Sequence, residues 1–287
     1  MNNFLKAELE HRHFSSFLEN VETEINTIKI SIKKHITPNR NTAFIELHGA
    51  DDFNDLYETY LDIYTLFFIC YGSYPLMLNL SYNDVDEDLS KYVCKYFSSK
   101  EYIDGECALF VIDDKTINQS VFERLKGIKN YALDSLEYLT SKNYEHVVIN
   151  HKITLLLHIV SGVTNPEEPF NTNVKYLSEK YFFNYDSGKS VLDALEINSE
   201  MFISKAVDTR NWYSHYFVGS KKPNKLNEEF EIAFFISIIY FMIRLQLSDK
   251  IGISVSDSII NHHYVCIKFW IIKNMEIIRK RGKNDIE

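Results

Sequence analysis

Hydrophobic periodicity changes once along this chain, near residue 118, and that change constrains the fold more than any other feature. Before it, apolar residues alternate with polar ones. Thr27-Ile28-Lys29-Ile30-Ser31-Ile32-Lys33 places Ile at every second position, the pattern of a strand with one buried face. Pro38-Asn39-Arg40-Asn41 is turn-like, and 43–47 reads as the partner strand. From Asp51 to Phe68 the spacing becomes helical, with Asp51 or Asp52 as cap. Phe53, Leu56, Tyr60, Ile63, Tyr64 and Phe67 share one stripe. Gly72 and Pro75 stop that helix, and 76–80 and 108–112 read as further strands. Residues 1–118 are therefore expected to form a small α+β region.

After residue 118 the period is helical almost throughout. Helices are expected over 121–140, 147–163, 174–183, a segment capped by Asn198 that turns Phe202, Ile203, Ala206 and Val207 inward, 228–247 and 256–278. Helices joined by short loops over 119–287 describe a bundle, so the chain as a whole is expected to be mainly α.

Composition narrows the function. The 287 residues carry 31 Lys and Arg against 40 Asp and Glu, a net charge of −9. Non-specific coating of nucleic acid, which depends on neutralising phosphates, does not suit such a chain, and any contact must be local. The bias toward Ile, Asn, Lys, Tyr and Phe suggests an AT-rich bacterial genome. Cys70, Cys94, Cys107 and Cys266 show no metal-ligand spacing and read as reduced thiols of a cytoplasmic protein. Met1 to Glu8 has no apolar core of a signal peptide. The apolar run Ala233 to Ile243, 11 residues, is too short to span a bilayer and reads as a core helix.

Most chemical signals dissolve on inspection. Gly188-Lys189-Ser190 resembles the end of a phosphate-binding loop, but the earlier Gly that such a loop needs is Phe183, so it reads as a loop between helices. His11-Arg12-His13 and His262-His263 lack the spacing that puts two imidazoles on one helix face, and no metal site or cofactor is expected. Asp84 to Asp88 reads as a solvated acidic loop.

One segment stands apart: Asp208-Thr209-Arg210-Asn211-Trp212-Tyr213-Ser214-His215-Tyr216. On a helix Asn211 and His215 face the same way, and the long Arg210 side chain reaches the same end. Arg supplies a planar fork for phosphate oxygens, and His moves protons near neutral pH. Ser204 to Lys225 contains Lys205, Arg210, Lys221, Lys222 and Lys225 against Asp208 alone, a local net charge of +4. A basic island in an acidic protein is where a polyanion would be received. With Trp212 and Tyr213 in the core, the same segment would be an ordinary helix with two surface cations.

This segment resembles the signature of the HEPN superfamily, an Arg followed by a polar residue and then by a His. Its wording is similar to the branch found at the C-terminus of ApeA-type defence proteins. The surroundings are similar too: a helix with Phe202-Ile203 before the motif, a basic loop, the apolar helix from Phe230 to Leu247, and a Gly-Ile-Ser link into the last helix. The likeness covers about 145–272. It implies a C-terminal HEPN-type helical bundle that forms a homodimer. It implies a metal-independent endoribonuclease acting in abortive infection, antiviral defence or as a toxin, with two motif copies in one composite site. Arg210, Asn211 and His215 would be catalytic. Lys205, Tyr213, Ser214, Tyr216, Lys221, Lys222 and Lys225 would help to bind RNA. An antitoxin or a phage-derived trigger would be a partner, no membrane is involved, and 1–118 would act as regulator or sensor. The alternative is an inactive module that binds RNA, a nucleotide or a partner protein as a scaffold. Acidic residues often accompany the motif from the first domain helix, but Lys152 to Val163 has none, and offers His158 and Ser161.

Overall fold

The computed structural model describes residues 3–50, 52–86, 107–128, 146–215, 226 and 229–284; of these, 86, 146–151, 214, 215, 229, 230 and 276–284 are described by backbone alone. The chain divides into two compact units, 1–142 with 247–255, and 143–246 with 256–287.

The first unit is α+β. Its strands are β1 (Phe4–Glu10), β2 (Val21–Ile25), β3 (Ile28–Thr37), β4 (Arg40–His48), β5 (Leu76–Tyr82) and β6 (Val85–Asp86). They form one antiparallel sheet in the order β2-β3-β4-β1-β5-β6. Alternation decides its buried face. Leu5, Ala7 and Leu9 of β1 lie on it with Ile28, Ile30 and Ile32 of β3 and Ala43, Ile45 and Leu47 of β4. Two-residue turns set the register: Asn26-Thr27 and Asn83-Asp84 adopt positive φ, as the twist of a tight hairpin demands.

Two helices flank the strands early in this unit, the short α1 (Phe14–Phe17) and the long α2 (Phe53–Tyr71). Asp52 caps α2 by accepting from the Asp55 N–H at 3.0 Å, and Gly72, in the left-handed conformation, ends it. Leu56, Tyr60, Ile63, Tyr64 and Phe67 are buried as the stripe predicts, while Phe53 is half-buried. Burial also runs unbroken from Tyr60 to Tyr71, so the second half of α2 is enclosed on all sides. The segment 108–112, expected as a strand, instead lies against the C-terminal end of α2 and beside Phe17 and Leu18. The Cys70 carbonyl accepts from Leu109 N–H at 2.9 Å, and only Ile112 forms a bridge, with Leu18. Without a neighbouring ladder, an apolar run alone does not make a strand. The helix expected over 121–140 is α3 (Gln119–Lys126), capped by Asn118 and closed by a turn at Gly127 and Ile128; 129–140 lies outside the described residues. It belongs to the first unit.

The second unit is helical among its described residues. It contains α4 (His146–Val163), α5 (Phe170–Ser178), a π-helical turn (Glu179–Phe183), α6 (Asp186–Ala194), α7 (Ser199–His215), most of α8 (Glu229–Ile251) and α9 (Asp257–Asn284). Rings fill its core. Phe202 stacks on Phe235 at 4.6 Å, and Phe182 lies against Phe202 and Tyr264. Two phenols enclosed with them are paired: Tyr264 donates to the Tyr181 carbonyl at 2.7 Å, and Tyr181 to Gln246 Oε1 at 2.9 Å.

Gly188-Lys189-Ser190 is not a loop but lies inside α6. A Cβ at Gly188 would collide with the Phe182 carbonyl and ring, so the glycine permits a close helix crossing and has no phosphate-binding geometry. Of the His pairs, His263 is buried and stacked on Phe241 at 3.6 Å, and His262 is exposed. His11 is buried, within 3.0 Å of Ser73. Glu231–Ile251 is long and apolar enough to cross a membrane, but 78% of its most apolar stretch is buried within the protein, which accounts for its composition.

Candidate anion-binding site on helix α7

Helix α7 begins at a cap and ends at the motif. Asn198 Oδ1 accepts from the Met201 N–H at 2.8 Å, fixing the first turn. Phe202 and Ala206 are buried, while Ile203 and Val207 are half-buried. The helix packs against α4 and α5. Trp212 and Tyr213, expected in the core, are half-buried. Partial burial raises the Tyr213 phenol above its ordinary value, so its hydroxyl stays protonated at neutral pH.

Arg210 is the most constrained cation of the motif. Its guanidinium stands over the Phe170 ring at 5.5 Å, and Nη1 donates to Asn211 Oδ1 at 3.3 Å. Its Nε is buried and makes no hydrogen bond among the described residues. Such a donor costs about 1–3 kcal/mol when left unmet, and an anionic oxygen would meet it. Asn211 uses its carbonyl oxygen on Arg210, which leaves its amide N–H groups as donors for a ligand or for a neighbouring side chain.

The structure brings Arg210 and Asn211 together and places His215 at the last position of α7, four residues after Asn211 on the same helical face. The side chains of Ser214 and His215 lie outside the described ones, as do residues Tyr216, Lys221, Lys222 and Lys225 entirely. Lys205 does not present a free charge. Its Nζ lies 2.7 Å from Glu231 Oε1, with both side chains mostly buried. On α4, His158 is exposed and Ser161 half-buried. Lys152 is buried, which lowers the pKa of its amine.

Two residues that sequence spacing does not single out shape the site. Phe170 lies 40 positions before Arg210, and a ring under a guanidinium leaves no spacing signal at that distance. Thr209 is buried, donates to the Lys205 carbonyl at 2.6 Å and accepts from the Leu226 N–H at 3.0 Å. The chain that leaves α7 at His215 is thus tied back to the same helix, one residue before Arg210. Among the described residues, no group of three His, Cys, Asp or Glu side chains is placed to hold a metal ion.

No family model, curated protein or solved structure matches this chain.

Proposed function

We propose that the chain is a metal-independent endoribonuclease of HEPN type, acting in bacterial defence as a homodimer. The observation that carries it is Arg210: a cation gripped by Phe170 and Asn211, with a buried Nε still unmet, on the helix that ends at His215. A phosphate diester supplies the acceptor oxygens that such a donor lacks.

RNA carries its own nucleophile, the 2′-hydroxyl next to each phosphate. His215 of one copy takes the 2′-OH proton as the 2′-oxygen attacks phosphorus. The P–O5′ bond breaks, and His215 of the other copy protonates the departing 5′-oxygen. The paired Arg210 guanidiniums hold the negative charge of the phosphorane. Asn211 positions phosphate through its amide N–H groups. The products are a 2′,3′-cyclic phosphate and a 5′-hydroxyl, so no atom is gained or lost.

Glu231 already pairs with Lys205. Phosphate contacts beyond Arg210 fall to Lys221, Lys222 and Lys225. The test is the chemistry of the ends. Cleaved RNA with 2′,3′-cyclic phosphate and 5′-hydroxyl termini supports the assignment. RNA that is bound and never cut, with binding lost in Arg210→Ala, would make the domain a non-catalytic RNA-binding scaffold.

A further inference from the structure

Helix α7 is fastened along one face to the chain that leads into α8. Phe202, Lys205 and Thr209 follow one another at steps of three and four residues, so they line up on that face. Their partners run in the opposite direction. Phe202 stacks on Phe235 at 4.6 Å, Lys205 Nζ meets Glu231 Oε1 at 2.7 Å, and Thr209 Oγ1 accepts from the Leu226 N–H at 3.0 Å. The links change from ring stacking through an ion pair to one hydrogen bond as the helix nears its motif. The outermost of these three stands one residue before Arg210.

That last link is built to hold. Thr209 and Leu226 are both fully buried, so water does not compete for either group. The Thr209 hydroxyl donates to the Lys205 carbonyl at 2.6 Å, and its oxygen still accepts from Leu226. Its branched Cβ restricts χ1, which keeps the hydroxyl in place. From the other direction, the Phe170 ring steadies the guanidinium. Arg210 is thus held at its head by Phe170 and at its root by Thr209.

We propose that Thr209 is a positioning residue for the reaction assigned to Arg210, Asn211 and His215, a role that rests on that assignment. Its hydroxyl is engaged on both sides and takes no proton from RNA. It sets where the last turns of α7 stand, and with them the Arg210–Asn211 pair. Helix ends fray, since their last carbonyls find no partner within the helix, and α7 ends at His215. A misplacement of about 1 Å can cost about 10²-fold in rate. RNA affinity depends on charge and changes little when the link is lost.

The experiment uses the full chain. Thr209→Val keeps the shape of the side chain and removes both hydrogen bonds, and Thr209→Ser restores them. With a short RNA, Thr209→Val should lower kcat about 10–100-fold, alter KM by less than about twofold and keep the shape of the pH profile, and Thr209→Ser should recover to within about threefold of wild type. Amide exchange at Leu226 should quicken at least about tenfold in Thr209→Val and stay slow in Thr209→Ser. Thr209→Ala, which removes the same hydroxyl, takes its place if Thr209→Val fails to fold. A rise in KM alone, a shifted pH profile, an equal loss in Thr209→Ser, or slow cleavage with unchanged Leu226 exchange would overturn the proposal. A wild type that binds RNA and never cuts it would remove the nuclease assignment and this role together. A wild type that cuts, beside a Thr209→Val that cuts as fast, would remove this role alone.

Discussion

Arg210 shows how much a single side chain can carry. Its identity as a candidate is legible, because Arg, Asn and His at that spacing are few in any chain and sit in a basic stretch. Its surroundings were not legible: Phe170 approaches only through the packing of α5 on α7. Arg210→Ala should lower RNA cleavage by about 10²–10³-fold, and Arg210→Lys should recover little, because an ammonium supplies no planar fork. Single-turnover cleavage of a short RNA measures both, and unchanged rates would move the site elsewhere. Gly188 is the opposite lesson. Its neighbours Lys189 and Ser190 advertised a phosphate loop, whereas its real constraint is the Phe182 carbonyl, which no local pattern announces. Gly188→Ala should cost about 1–3 kcal/mol, because backbone must shift to admit the methyl group. Thermal unfolding reads that loss, and an unchanged Tm would contradict the close crossing.

Elements were legible in proportion to their length and regularity. The alternation of β3, the stripe of α2 and the Asn198 cap each follow from a local rule. The strand β1 does not stand out in the sequence, although Leu5, Ala7 and Leu9 alternate, because three alternating positions give a weak signal until a sheet surrounds them. Removing the α7 cap by Asn198→Ala should destabilise the second unit by about 1 kcal/mol, visible as a lower Tm. The aromatic core of the first unit sets the response to alkali. Burial raises the Tyr60 and Tyr71 phenols well above their ordinary 10.0. The native state therefore holds protons that the unfolded chain releases. Their contribution to stability is complete below pH 10.0 and is lost as pH rises beyond it. Unfolding measured across that range should show falling stability together with a cooperative rise in tyrosinate absorbance. Ionisation of Tyr60 and Tyr71 before unfolding would contradict their burial.

For the whole molecule, the order of an α+β region followed by helices was legible, and the content of each unit was not. The sequence assigns α3 to the helical part, yet the first unit holds it, together with 247–255 from far along the chain. Long-range return of a short segment leaves no periodic trace. It also means that cutting the chain near Ser120 would split the first unit, so control of the proposed nuclease is best tested in the intact protein. Charge works at this scale. The proposed RNA contact joins a chain of net −9 to a polyanion through a stretch of net +4, so such binding should weaken steeply with salt. Replacing Lys221, Lys222 and Lys225 together by Ala should reduce the slope of log affinity against log salt by about 1 for each phosphate no longer neutralised. An unchanged slope would place the RNA elsewhere.

The most direct measurement is cleavage of a defined RNA in excess EDTA by the wild type and by His215→Ala, with both shown to be folded. Imidazole and guanidinium chemistry predicts that the wild type cuts at full rate, leaving 2′,3′-cyclic phosphate ends, and that His215→Ala falls to background. Activity that vanishes with EDTA and returns with a divalent ion, or equal cleavage by His215→Ala, would contradict it.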